Sequence, residues 1–112
     1  MQTGKGRDEA RVAYVQLGLG YLQQGMSEQA KVPLKKALEL DSDDADANGA
    51  LALVFQAQAE PELAEQYFHK ALASRPADPR LLNNYGSFLF AQKRYDQARP
   101  LFPASQRRYP LS

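Results

Sequence analysis

The sequence predicts an all-α fold, a solenoid of three tandem helix–turn–helix repeats, and three observations predict it. The 112-residue chain repeats itself without gaps at a period of 34 residues, over residues 11–44, 45–78 and 79–112. One offset in every repeat holds alanine, at Ala30, Ala64 and Ala98. Proline closes the second and third repeats, at Pro76 and Pro110. Such periods are typical of solenoids, in which each repeat buries its apolar face only against its neighbours.

In the first repeat, residues 11–24 are expected to form helix A. They carry apolar and small residues on one face at helical spacing, namely Tyr14, Leu17, Gly18 and Tyr21. Gly25 suits the left-handed residue that ends a helix, since it lacks a Cβ. We expect Ser27 to cap helix B, and Pro33 to lie inside that helix near its beginning, where a proline does least damage. Residues 1–10 are predicted to be a polar N-terminal extension.

The second and third repeats follow the same plan, with helices over 45–58, 61–73, 79–92 and 95–108. Asp43 or Asp44 is expected to cap the first of these four helices. Pro61 suits the first position of a helix, where its missing N–H costs nothing. Pro100 and Pro103 lie inside the last helix, which we therefore expect to be kinked or frayed. No helix follows it in this sequence, so no C-terminal capping helix is predicted.

The period and these offsets resemble the tetratricopeptide repeat (TPR) family. That resemblance implies a right-handed superhelix whose hollow is lined by the second, fifth, ninth and twelfth residues of each helix A. The first repeat places apolar residues at all four positions. From these positions we predict a groove for an apolar helix or extended segment of a partner protein, formed by Val12, Val15, Leu19, Leu22, Leu53, Asn83 and Phe90. Residues 1–10 or a second copy of the chain are the alternative occupants. Asn83 is expected to contact either the partner's backbone or the neighbouring helix.

Composition excludes several other functions. The formal net charge is +1, so no field recruits nucleic acid or anionic lipid. The chain has no cysteine, which excludes disulfides, thiolate catalysis and a lipidated cysteine in this sequence. No apolar run is long enough to span a membrane, and residues 1–9 lack the apolar stretch of a secretory signal. We expect a soluble chain that binds protein, with no nucleic acid and no small-molecule substrate.

The polar residues suggest no catalytic or metal site. The acidic cluster that begins at Asp41 lacks the glycine and glutamate of a calcium loop, since Asp46 and Ala52 occupy those places. His69 is the single histidine and is expected to be solvated or packed at an edge. Nothing in the sequence assembles a nucleophile, a base and an oxyanion site. The sequence therefore predicts a non-enzymatic protein that needs no cofactor and no metal.

Three segments narrow the resemblance to the type IV pilus pilotin family. They are AKVPLKKAL at 30–38, LALVFQ at 51–56 and LLNNYGSFL at 81–89. Members of that family are outer-membrane lipoproteins that face the periplasm, escort the pilus secretin to that membrane and promote its assembly. The resemblance implies a partner-binding role with the secretin subunit as the partner.

The sequence departs from that family in lacking a signal peptide and a lipid-bearing cysteine and in stopping after three of about six repeats. It resembles an N-terminal portion of such a protein, able to bind a partner without delivering it. Two other hypotheses stay open. One is a general TPR scaffold in another bacterial assembly. The other is a structural module that forms homo-oligomers through its uncapped ends.

Overall fold

The computed structural model describes residues 4–103, which form six α-helices and one short 3-10 helix. The helices are α1 (Gly4–Gln23), α2 (Ser27–Leu40), α3 (Ala45–Ala57), α4 (Pro61–Ser74), α5 (Pro79–Ala91) and α6 (Tyr95–Ala98), and the 3-10 helix is Arg99–Leu101. Successive pairs form three helix–turn–helix repeats, and each repeat packs against the next. The predicted all-α solenoid is confirmed. The molecule is elongated, measuring 58 × 26 × 21 Å.

The turns inside the repeats share one backbone conformation. Gly25, Ala59 and Lys93, each 34 residues from the next, have positive φ angles of 74°, 59° and 64°. The prediction for Gly25 is confirmed, whereas alanine and lysine hold the same left-handed conformation at a cost that glycine avoids. Ser27 does not cap α2. Met26 occupies the N-cap position without a side-chain hydrogen bond, and Ser27 is the first helical residue.

Aspartates begin the A helices of the second and third repeats. The carboxylate of Asp44 accepts a hydrogen bond from the backbone N–H of Ala47 at 2.7 Å, which confirms the predicted cap of α3. Asp78 accepts from the backbone N–H groups of Leu81 and Arg80 at the start of α5. The bond from Leu81, followed by that from Arg80, outweighs the opposing effect of burial and lowers the pKa of the Asp78 carboxyl. These caps fix where each repeat begins.

The core runs between the helix layers as one main cluster. Its largest fully buried side chains are Leu34, Leu51, Phe68, Phe88 and Leu89. Small residues let the two helices of a repeat approach closely. A Cβ built on Gly18 would lie 2.4 Å from Cγ of Leu34, and one built on Gly86 would lie 2.8 Å from the ring of Phe102. The close approach of the two helices in the first repeat therefore recurs in the third.

The two ends of the chain differ from the prediction. Helix α1 begins at Gly4, seven residues before the expected Arg11, and Arg11 forms an i, i+3 ion pair with Asp8 at 3.8 Å. The last helix is short, because α6 ends at Ala98 and Pro100 lies in the 3-10 helix that follows. The predicted distortion at Pro100 is confirmed. Phe102 and Pro103 follow the 3-10 helix outside any helix, contrary to the predicted helix 95–108, and residues 104–108 lie outside the described part of the chain.

Candidate protein-binding surface

The A helices α1, α3 and α5 lie side by side, with equivalent positions as neighbours. Asp46 and Arg80 hold the second position of consecutive repeats, and the carboxylate oxygen of Asp46 lies 3.4 Å from the guanidinium of Arg80. Arg11 of α1 forms an ion pair with the buried Asp44, which caps the start of α3. We call the surface formed by the second, ninth and twelfth residues of each 34-residue repeat the A-helix face, since helical spacing puts those positions on one side of the A helix.

The A-helix face carries apolar side chains from all three repeats. Val12 and Phe90 are 47% and 46% exposed. Leu19, Leu22 and Leu53 are partly buried and pack against the core beneath. The ring of Phe90 meets that of Tyr95 edge to face, with centroids 4.9 Å apart. Five of the seven predicted groove residues therefore lie on this face, and two of them leave about half their surface free for a partner.

Val15 is not part of that surface, contrary to the prediction from its sequence position. It is only 4% exposed and packs with Ala37 and Ala47 in a cluster between the first and second repeats. Gly49 holds the equivalent place one repeat later, and a Cβ built there would lie 2.7 Å from Leu81. The fifth position of a repeat is covered because the next A helix packs on it. The prediction that Val15 lines an open groove was wrong for that reason.

Asn83 occupies the same fifth position in the third repeat, where no following A helix is described. It is exposed and lines a pocket of about 470 Å³ between the start of α5 and the 3-10 helix. Other lining residues include Leu82, Leu101 and Phe102. The structure thus places Asn83 at the C-terminal end of the described solenoid, on a different surface from Val12.

A second apolar surface, not predicted from the sequence, lies at the other end of the described solenoid. Leu17 and Val32 are 51% and 60% exposed and line a pocket of about 340 Å³ between α1 and α2. Leu17 was assigned to the packing stripe of helix A. Its counterpart Leu51 is fully buried in one cluster with Leu34 of α2, whereas no helix among the described residues covers Leu17 in the same way. Both offsets hold leucine, so the residue type gave no signal for this difference in exposure.

A polar network links the second and third repeats. The guanidinium of Arg94 donates two hydrogen bonds, both 2.8 Å, to the carboxylate of Glu65, which also accepts one of 2.5 Å from the Tyr85 hydroxyl. The bond from Arg94 is the main cause that lowers the pKa of Glu65, and burial is the main cause that raises the pKa of Tyr85. His69 is exposed, as predicted, with Nε2 2.8 Å from the same hydroxyl. The network joins α4, α5 and α6.

The geometry of residues 4–103 offers no metal centre, since no group of three or more histidine, cysteine or acidic side chains there is arranged to hold an ion. In the acidic segment, Asp44 acts as a helix cap and Asp46 pairs with Arg75 and Arg80. Among the described helices, none is long and apolar enough to cross a membrane.

Comparisons with known proteins agree with the fold. Family models described as tetratricopeptide repeat match residues 12–44 and 50–112. The type IV pilus assembly protein PilF of Pseudomonas aeruginosa is 62% identical over 107 residues, which are 95% of this chain and 42% of that protein. An uncharacterized protein of Haemophilus influenzae is 37% identical over 93 residues, covering 83% of this chain and 52% of its own length.

A solved structure from the functional characterization of Pseudomonas aeruginosa PilF superposes on this chain with a TM-score of 0.84 at 62% identity. The match covers 86% of this chain and 43% of that one. This chain therefore spans about half, or less, of the length of the relatives described here.

Proposed function

The chain belongs to the tetratricopeptide repeat family, and on that basis we propose that it is a non-catalytic protein-binding module of type IV pilus biogenesis. In this proposal it acts as a pilotin-like factor that binds the outer-membrane secretin subunit and aids its localisation and assembly. The observation that carries the proposal is the 62% identity to PilF over 95% of the chain. We transfer this role from a longer relative, and this chain spans 42% of the length of that relative.

The A-helix face is the surface we propose for the partner. Its exposed residues Val12 and Phe90 lie at the two ends of an apolar path, with Leu22 and Leu53 between them. Burial of apolar surface would drive binding, at roughly 25 cal/mol per Å² removed from water. The ion pair of Asp46 with Arg80 lies on the same face and neutralises the local charge. The expected ligand is therefore an amphipathic helix or an extended apolar segment of the secretin subunit.

The first test is a calorimetric titration of the folded chain with a purified secretin subunit. Val12→Asp and Phe90→Asp should each weaken binding by ~10-fold or more, because a charge would be buried without a partner. These two positions are better probes than Leu19, which packs against two core clusters and whose replacement would also destabilise the fold.

Val32→Asp is the matched control, since Val32 is also an exposed valine and lies on α2, away from the A-helix face. It should leave the affinity unchanged. Saturable binding that neither Val12→Asp nor Phe90→Asp weakens would exclude the A-helix face as the binding surface. Absence of binding by the folded wild-type chain would contradict the secretin as partner.

For localisation, we propose that the native protein works at the periplasmic face of the outer membrane. The similarity to a type IV pilus assembly protein supports this proposal. Fractionation of cells that express the full-length native gene would test it, and a native protein recovered only in the cytosolic fraction would contradict it.

A further inference from the structure

Gln56 is a polar residue in the middle of the A-helix face. It is the twelfth residue of the second repeat, the place that Leu22 and Phe90 hold in the first and third repeats. Leu53 lies three residues before it on α3, about one helical turn away and on the same side of the helix. Helices α1 and α5 both contact α3, so Gln56 lies within the described solenoid and away from its ends.

The side-chain amide of Gln56 has an unsatisfied polar atom. Its oxygen Oε1 is buried and has no hydrogen-bond partner among residues 4–103. The residue as a whole is partly exposed, so its amide lies where the core meets the surface. A buried acceptor without a donor is unfavourable, and native proteins keep few of them. An apolar residue, as at the two equivalent positions, would avoid this unfavourable burial.

Asn48 provides a comparison on the same helix. Its Oδ1 is also buried without a partner in the described part of the chain, but its Nδ2 donates a hydrogen bond of 3.2 Å to the backbone carbonyl of Ser42. That bond ties α3 to the turn before it, which gives Asn48 a role within the fold. The described fold supplies no donor to the oxygen of Gln56. Contact with a partner therefore explains the polar group of Gln56 better than the fold does.

The charges on the A-helix face are already matched. Asp46 and Arg80 are the charged residues at its defining positions, and they lie 3.4 Å apart. The ninth and twelfth residues are uncharged in all three repeats. A charged group of a partner placed at Gln56 would therefore lose water without gaining an opposite charge. A hydroxyl or an amide, by contrast, can pair with the glutamine amide, which has one acceptor and two donors.

We propose that Gln56 makes the A-helix face specific for a partner segment that carries a neutral hydrogen-bonding group between apolar residues. The apolar residues pack beside Leu22 and Phe90, and the hydroxyl or amide pairs with the amide of Gln56. Rotation about the torsions of the Gln56 side chain turns its oxygen towards the partner. The occupant is thus a protein segment that is not apolar along its whole length. This inference rests on the proposed function and narrows the ligand of that surface.

The test compares variants of similar size in the calorimetric titration with the purified secretin subunit. Gln56→Leu removes the hydrogen-bonding groups and should weaken binding about 10-fold, because the polar group of the partner would be buried unpaired. Gln56→Glu loses the two donors and adds a charge, and it should weaken binding by ~10-fold or more. Gln66→Leu, at an exposed glutamine of α4, is the matched control and should bind like the wild type.

Thermal unfolding distinguishes a role in binding from a role in the fold. Gln56→Leu removes a buried acceptor that has no donor, so its melting temperature should equal or exceed that of the wild type. A variant that binds less tightly without being less stable has lost a contact with the partner. A melting temperature below that of the wild type would show that the fold itself satisfies the amide, and it would overturn the proposal.

The binding results separate this inference from the proposed function. Equal or tighter binding by Gln56→Leu would overturn the inference, while weaker binding by Val12→Asp and Phe90→Asp would still support the A-helix face as the binding surface. Tighter binding by Gln56→Glu would indicate a cationic group on the partner and would also overturn the inference. A folded wild-type chain that does not bind the secretin subunit would contradict both proposals.

Discussion

Gly18 determines how closely α1 and α2 approach. A Cβ at this position would lie 2.4 Å from Cγ of Leu34, and Leu34 is fully buried, so its side chain has no space into which to move. Gly20, two residues later on the same helix, has nothing within 4 Å of a built Cβ. Replacing each glycine by alanine therefore distinguishes two effects on stability. Only the change at Gly18 adds a steric contact, whereas both changes reduce the conformational freedom of the backbone.

We expect Gly18→Ala to lower the free energy of unfolding by about 1–3 kcal/mol, because the added methyl group overpacks the seam between α1 and α2. Gly20→Ala should raise it by about 0.5–1 kcal/mol, because alanine loses less backbone entropy in a helix. Urea unfolding followed by circular dichroism measures both changes. Equal effects of the two substitutions would show that the contact with Leu34 does not limit the helix spacing.

The structural role of a residue was predictable from the sequence where that role depends on its immediate neighbours in the chain. The cap by Asp44 and the left-handed Gly25 depend on their immediate neighbours, so both were predictable. The burial of Val15 depends on the next A helix, whose Ala47 covers it. From the sequence alone, an apolar residue on a second face of a helix is compatible with either an open groove or a contact of this kind. Val12 and Phe90 are exposed, as a surface for a partner requires, whereas the burial of Val15 depends on the spacing between repeats.

Helix α6 is only four residues long, so it depends on contacts made by the residues on either side of it. Arg94 precedes it and makes the paired hydrogen bonds to Glu65 of α4, while Phe102 follows it and packs over Gly86. A helix this short has almost no stability of its own. The third repeat therefore depends on these polar and apolar contacts at the two ends of its shortened second helix.

The Glu65 network should make stability depend on pH. Because the folded pKa of Glu65 is lowered, its contribution is complete above the ordinary value of 4.5 and is lost as the pH falls through the folded value. At neutral pH, Glu65→Gln should cost about 1–2 kcal/mol, because Arg94 and Tyr85 lose an ionised acceptor at a partly solvated site. The difference from wild type should vanish in acid.

Urea unfolding from pH 7 down to pH 3 measures this dependence. Glu39→Gln, which alters an exposed glutamate of α2, is the control and should follow the wild-type curve. A Glu65→Gln variant that stays as stable as wild type at neutral pH would show that the network contributes nothing to holding α6.

Stability should be unequal along the solenoid. Helix α3 buries residues on most of its surface, since α2, α4 and α1 all pack against it, whereas α6 and the 3-10 helix have neighbours on fewer sides. Native-state hydrogen exchange should give the slowest exchange for amides of α3 and the fastest, among the described helices, for α6. Uniform protection across the three repeats would contradict this gradient.

The repeat architecture was predictable because the period and the small residues recur in every repeat, and the turn prolines recur in the second and third. Helix ends within the chain were correct to about one residue for α3, α4 and α5. The first and last helices of the described chain were less predictable. Residues 4–10 extend α1 beyond the repeat period, and the consequence of Pro100 for the last helix depends on how much packing opposes it.

Every substantial helix contact in the described chain joins elements of the same repeat or of consecutive repeats. During synthesis, the first repeat and the α3 helix that covers Val15 and Leu34 can pack before the third repeat has left the ribosome. Each apolar face can then be buried as soon as the next helix has been synthesised, before the chain is complete. Vectorial folding of this kind keeps the apolar surface exposed on a nascent chain to about one helix face at a time.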